Sequence, residues 1–206
     1  MEKFMREHQI DTLFHFTQAS NLPNIFRHGL LPKEILLNDG IETEYNDHFR
    51  YDNCENAICM SIEFPNYKMF YSLRQDNVDI DWAVIKVDGA VLLDFDCAFC
   101  ITNAGSEESY SISLEERMGK MAFKKLYQDY PGKPNRDEMK IKNWYPTNPQ
   151  AEVLVFGCVP LTYISEVYFE NNAALRQYKS SIPETIKATI NTNWFFPRED
   201  WRHWQN

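Results

Sequence analysis

The sequence predicts an α+β domain built around a mostly antiparallel sheet with a few short flanking helices. Short apolar or alternating runs recur at Leu13–Thr17, Ala57–Ile62, Trp82–Val87, Val91–Phe95, Gln150–Phe156 and Ile164–Phe169, each bounded by turn residues. Helical signals between them are few and brief, which argues against a regular βαβ alternation. The 206 residues carry 44% apolar and 25% charged side chains, enough for one core, with no repeat or linker that would divide it. A single domain over 1–206 is therefore expected.

The elements follow in order. Leu13–Thr17 opens the fold, with Phe14 and Phe16 on one face and Leu13, His15 and Thr17 on the other. In a short helix after it, Ser20 or Asn21 can cap, Pro23 suits the first turn, Leu22, Ile25 and Phe26 share a face, and Gly29 ends the run. Leu36 to Asn56 is polar and irregular, and loops that long in a compact domain are usually functional or disordered. The Ala57–Ile62 strand leads past Pro65 into a short helix or turn carrying Met69, Phe70 and Tyr71. Asp88-Gly89 between Trp82–Val87 and Val91–Phe95 is a hairpin signal. Ser113-Leu-Glu-Glu116 is a capping box that predicts a helix to about Tyr130, stopped by Pro131-Gly132. A second loop reaches the Glu152 strand, and Pro183–Ile190 reads as a short helix before a Trp- and Phe-rich end.

Composition narrows the function. The net charge of −9 is unfavourable for a nucleic-acid binder, yet Arg117–Lys142 holds eight basic residues against three acidic ones. Lys120, Lys124, Lys133, Arg136, Lys140 and Lys142 in it could contact phosphates, or could form a solvated face of an acidic protein. Aromatic side chains make up 15%, which suits both a filled interior and stacking on flat ligands. No apolar leader and no run near the ~20 apolar residues of a membrane helix are evident, so a cytoplasmic protein without a membrane partner is expected. Cys97 and Cys100 form a single CxxC with no second pair and no His at finger spacing, so core packing is expected there and no metal.

Several residues could carry chemistry. Glu152 immediately precedes Val153-Leu-Val-Phe156, and a carboxylate at the mouth of a buried strand must face a cleft or meet a donor. An edge carboxylate facing water is the ordinary alternative. His15 and Thr17 offer an imidazole and a hydroxyl from one strand face, which otherwise is a solvent face opposite Phe14 and Phe16. Arg50, in a loop that otherwise lacks cations, suits bidentate capture of carboxylate or phosphate, or could pair with Asp47 or Asp52.

Taken in order, His15-Phe-Thr17, Asn21-Leu-x-x-Ile25 with His28-Gly-Leu30, Arg50, Met69-Phe-Tyr71, Asn103-Ala104 and Gln150-Ala-Glu-Val-Leu-Val155 resemble the DarT family of DNA ADP-ribosyltransferase toxins. The resemblance runs from about Leu13 to Trp194-Phe-Phe196. It implies an ADP-ribosyltransferase-like fold with a split sheet, and a glycosyltransferase that consumes NAD⁺ without a metal. His15 and Thr17 would hold the nicotinamide end, Asn21 and Leu22 would lie along the cofactor, and Met69 would line the pocket with Tyr71 near it. Glu152 and Arg50 would be catalytic.

The resemblance also implies single-stranded DNA as acceptor and a neutralising macrodomain antitoxin as partner. The stretches around Arg50 and Ala57–Phe64 differ from thymine-modifying members, which favours guanine slightly over thymine. An acceptor in RNA or protein, or a non-catalytic NAD- or nucleic-acid-binding module, are the other readings. In the chemistry implied, a carboxylate would stabilise positive charge on the ribose as nicotinamide leaves. The acceptor base must be unstacked, which favours a single strand. The Tyr130–Pro149 loop runs into Glu152 and is placed to choose the acceptor.

Overall fold

The computed structural model describes residues 1–45 and 54–205. In chain order these form α1 (Glu2–His8), β1 (Thr12–Gln18), α2 (Leu22–His28), α3 (Lys33–Asn38), β2 (Ala57–Ile62) and α4 (Tyr67–Asp76). Then come β3 (Trp82–Asp88), α5 (Val91–Asp94), β4 (Cys97–Cys100), α6 (Glu107–Tyr110) and α7 (Gly119–Lys125). The chain finishes with β5 (Glu152–Phe156), β6 (Ile164–Phe169), α8 (Asn172–Tyr178) and β7 (Lys187–Ile190), with short 3-10 turns between elements.

Among the described residues the strands form one seven-stranded sheet in the order β4-β5-β2-β1-β3-β6-β7. Pairing is antiparallel except between β6 and β7. The two ladders made by β1 are unequal. It pairs with β3 along its whole length, from Thr12↔Asp88 to Gln18↔Trp82. With β2 the register is Leu13↔Ile62 and Phe14↔Ser61, and beyond Phe14 the strands part. The sheet is thus split into a β4-β5-β2 half and a β1-β3-β6-β7 half, as the resemblance implied.

Both faces of β1 are covered, so the expected solvent face does not exist. Leu13 packs in the larger core with Ile85 and Val87 and with Met5 of α1, Phe26 of α2 and Phe123 of α7. Phe14 and Phe16 belong to a second cluster with Phe70 of α4, Val84, Tyr168 and Phe195. Fully burying a side chain such as Phe70 or Phe123 contributes about 1.5–3 kcal/mol. Cys97 and Cys100 are buried, and burial pushes the Cys97 thiol up to about 12, consistent with a packing role.

Three expectations are corrected. Val91–Phe95 is not the second arm of a hairpin: Asp88 Oδ1 accepts from Ala90 N at 2.8 Å, Gly89 N donates to Asp11 O, and the chain turns into α5. A Cβ on Gly89 would stand 2.7 Å from Asp11 O, so this docking needs glycine. Pro183–Ile190 is not a helix but ends in β7, parallel to β6 with Glu166↔Lys187 and Phe169↔Ile190. α8 supplies the crossover that a parallel neighbour requires. The capping box does form, with Glu116 N donating to Ser113 Oγ at 3.4 Å and Ser113 N donating to Glu116 Oε2 at 3.3 Å. Its helix lasts one 3-10 turn, because Met118 is extended and bridges to Ala98; α7 then ends at Lys125, well short of Tyr130.

Candidate active site

The split between β1 and β2 opens into a cleft of about 1220 Å³, counted out to its mouth. His15, Thr17, Met69 and Glu152 all line it, so the first strand and the β5 carboxylate share one cavity.

Glu152 starts β5 opposite Cys100 and is 6% exposed. A buried carboxylate needs donors, and the fold provides them. Oε1 accepts from Asn66 Nδ2 at 3.1 Å and Asn103 Nδ2 at 3.3 Å, and Oε2 accepts from the Ala104 backbone N–H at 2.8 Å. Asn66 is also the N-cap of α4, its Oδ1 accepting from Met69 N at 3.2 Å. Asn103 Oδ1 accepts from Gly105 N at 2.9 Å. Glu152 is therefore a held carboxylate on a cleft wall, not a water-facing edge residue.

His15 bridges the split. Its Nδ1 donates to the carbonyl of Cys59 at 2.9 Å, because a carbonyl can only accept, and this leaves Nε2 as the acceptor nitrogen of the neutral ring. Burial lowers the His15 pKa, against a smaller upward effect of that bond. Thr17 Oγ1 accepts from Asn21 Nδ2 at 2.9 Å. Asn21 also grips Glu44 from both sides, Nδ2 donating to its carbonyl and Oδ1 accepting from its N–H, while Asn24 Nδ2 donates to Glu42 O. These carboxamides hold 42–45 beside β1 and bring Tyr45 to the cleft wall, where Lys33 Nζ lies 5.6 Å from its ring centroid.

Two expected pocket residues are elsewhere. Leu22 is fully buried in the main core and does not line the cleft. Tyr71 is 54% exposed and likewise absent from the lining. With 3.6 residues per turn, Tyr71 lies about 200° round α4 from the inward Met69. Arg50 lies outside the described residues.

The basic segment is heterogeneous. Arg136 is committed to its own loop: it donates to Thr147 Oγ1 at 2.6 Å and to the carbonyls of Lys142 and Tyr145 at 3.0 Å, and burial lowers its pKa. These bonds tie its guanidinium to the loop that leads to Glu152. Lys124 and Lys133 lie over the rings of Phe4 and Trp204, each 5.5 Å from the centroid. Lys120, Lys140 and Lys142 are exposed, with Lys142 Nζ 3.8 Å from Glu199.

The sequence reading missed Asn66, Lys33 and a buried pair behind the cleft. Arg198 binds Asp200 at 2.6 and 2.7 Å and donates to the carbonyls of Pro146 and Thr147, both at 2.9 Å. It thereby anchors the loop just before Glu152. Pro65-Asn66 ahead of an apolar helix was a readable cap signal; nothing local marks Arg198 as buried. No group of His, Cys, Asp and Glu suited to a metal ion occurs among the described residues, and no helix among them is long and apolar enough to cross a membrane.

A split antiparallel sheet, with a donor-held glutamate and a neutral imidazole lining the cleft at its split, defines an ADP-ribosyltransferase-like protein. A family model described as DarT, ssDNA thymidine ADP-ribosyltransferase, matches residues 14–196. The chain belongs to the DarT family. Solved structures share the fold. Thermosipho africanus DarTG in complex with ADP-ribose matches with a TM-score of 0.62 and 18% identity over 90% of this chain and 51% of that one. This chain thus spans about half the length of that relative. Thermus sp. 2.9 DarT in complex with NAD⁺ matches with a TM-score of 0.55 and 14% identity, covering 90% of this chain and 97% of the other. The same Thermus protein in complex with ADP-ribosylated ssDNA gives 0.54 and 14%, covering 90% and 96%. A search of curated proteins finds no match.

Proposed function

We propose that this protein, as one domain over 1–206, cleaves NAD⁺ and transfers its ADP-ribose to a base of single-stranded DNA. The observation that carries this reading is Glu152, buried yet lining the cleft that His15 also lines. NAD⁺ is the substrate bound in one Thermus relative, and ADP-ribosylated ssDNA is bound in another structure of that protein.

The cleft suits a flat, charged dinucleotide. Tyr45 and Met69 offer apolar wall, and neutral His15 and Thr17 offer polar atoms at the split. Lys33 is the cation among the described lining residues and is placed for the diphosphate. As the bond from nicotinamide nitrogen to ribose breaks, positive charge grows on the sugar, and the fixed Glu152 carboxylate stabilises it. The base nitrogen then bonds to that carbon, losing its proton to Glu152 or to water. A carboxylate held by Asn66, Asn103 and Ala104 has little reorganisation left to do at that moment.

Two observations bear on the base. The family description names thymidine, while the departures around Ala57–Phe64 favour guanine. Exposed Lys120, Lys140 and Lys142 are the phosphate contacts that remain from the basic segment. A toxin role in the cytoplasm, neutralised by a macrodomain partner, belongs to the same reading, and one relative is itself a DarTG protein.

The test is mass spectrometry of single-stranded oligonucleotides, each lacking one base, after incubation with NAD⁺. Addition of one ADP-ribosyl group, abolished when guanine is omitted and lost by about 10²–10³-fold in rate in Glu152→Gln, is the expected result. Abolition on omitting thymine instead assigns thymine. Unmodified DNA beside modified RNA or protein would replace the acceptor, and NAD⁺ left intact would end the proposal.

A further inference from the structure

We infer that Asn66 and Asn103 are positioning residues that hold Glu152 for catalysis, each using one half of its side-chain amide for the fold and the other for the carboxylate. The inference deepens the transferase reading above and rests on it for its kinetic test.

The hydrogen bonds decide which way each amide faces. Asn66 Oδ1 accepts from Met69 N as the cap of α4, so its Nδ2 is the end that meets Glu152 Oε1. Its own backbone N–H donates to Ser61 Oγ at 3.0 Å, and its carbonyl accepts from Phe70 N at 3.0 Å. Asn103 Oδ1 accepts from Gly105 N, so its Nδ2 is the end that meets Oε1 and, at 3.6 Å, the Met69 sulfur. Asn66 is fully buried and spans 86 residues of sequence to reach Glu152; Asn103 spans 49.

The donors converge from different elements. Asn66 comes from the start of α4, Asn103 from the turn after β4, and Ala104 N–H from the residue beside it. N–H groups on both oxygens favour the charged carboxyl and restrict its rotation. The same two amides touch Met69, so the carboxylate and a cleft-lining side chain are fixed as one unit.

The division of labour gives a clean test. Asn66→Asp and Asn103→Asp keep the Oδ1 acceptor, and aspartate is a good N-cap, but each replaces the N–H donor with a carboxylate facing Glu152. Steady-state NAD⁺ turnover and DNA modification are measured at pH 6 and pH 8, with thermal unfolding recorded at both. The expected result is a kcat lowered at least about tenfold at pH 8 with KM for NAD⁺ within about threefold. The loss is smaller at pH 6, where a proton shared by the paired carboxyls restores a donor. A merely structural role predicts no such pH-dependent recovery.

Asn66→Ser, which can cap the helix but adds no charge, guards against misfolding of the Asp variants and is expected to lose kcat equally at both pH values. Wild-type kcat and pH profile in all three variants would overturn the inference. Wild-type protein that leaves NAD⁺ and DNA unchanged would instead refute the transferase reading. In that case carboxyl-carbon NMR of Glu152 decides the positioning role by itself: Asn66→Ser must raise the Glu152 titration midpoint, and an unchanged midpoint overturns the inference.

Discussion

His15 Nδ1 donates to the Cys59 carbonyl across 2.9 Å at the place where the β1–β2 ladder has already ended. A side chain thus spans the gap that backbone bonds leave open, and the imidazole belongs at once to the sheet and to the cleft. His15→Ala removes that hydrogen bond, a net loss of about 0.5–1.5 kcal/mol. It also removes Nε2 from the cleft. The expected outcome is a KM for NAD⁺ raised about tenfold together with a lower urea midpoint.

The pH dependence of stability has two opposing sources. Burial lowers the His15 pKa from 6.5, so its neutral form is favoured in the fold, and that stability is present above pH 6.5 and lost as pH falls through the folded value. Glu63, at φ 60°, accepts from Asp11 N and Thr12 N at 2.6 and 2.7 Å, and burial raises its pKa to about 7. Its contribution is fully present below pH 4.5 and lost as pH rises through about 7. Glu63→Gln keeps the accepting oxygen without the titration. Urea midpoints should therefore fall less steeply between pH 5 and about 7 in Glu63→Gln than in the wild type. An identical slope between pH 5 and about 7 in the two proteins would exclude Glu63 as the source.

Lys33 is held with Nζ 3.6 Å from Glu55 and over Tyr45, on the cleft wall. If it meets the NAD⁺ diphosphate, that contact exists before and during bond cleavage. Lys33→Ala is then expected to raise KM for NAD⁺ about five- to tenfold while kcat stays within about twofold. Calorimetric titration with NAD⁺ checks the same loss without turnover. Unchanged affinity would remove Lys33 from the site.

Arg198 and Asp200 are both buried, and their ion pair carries the carbonyls of Pro146 and Thr147 and the Trp204 indole N–H, which donates to Asp200 Oδ2 at 2.8 Å. Deleting one partner strands the other charge. Asp200→Asn is expected to destabilise by about 3–5 kcal/mol, read as a shift in the denaturant midpoint. Because Arg198, left without its counter-charge, also holds the carbonyls just ahead of Glu152, kcat should fall in the surviving folded fraction as well.

Local pattern was enough to place β1, β2, β3, β5 and β6, because period-2 alternation and short apolar runs are written in neighbouring residues. Ordered side-chain motifs were enough to pick out Glu152, His15, Thr17 and Met69, all of which line the cleft. β7 was not legible, since its four residues pair in parallel only after α8 has carried the chain back, and α5 was misread because the docking of Gly89 on Asp11 is a long-range contact.

The same limit governed the site. Leu22 and Tyr71 sit one and two positions from residues that do line the cleft, and which way they point is set by packing, not by sequence spacing. Sequence determined which residue types were on offer. Tertiary structure decided that Asn66 and Asn103 meet one carboxylate and that Arg136 and Arg198 serve the loop, because hydrogen bonds between residues dozens of positions apart form only once the sheet has brought them together.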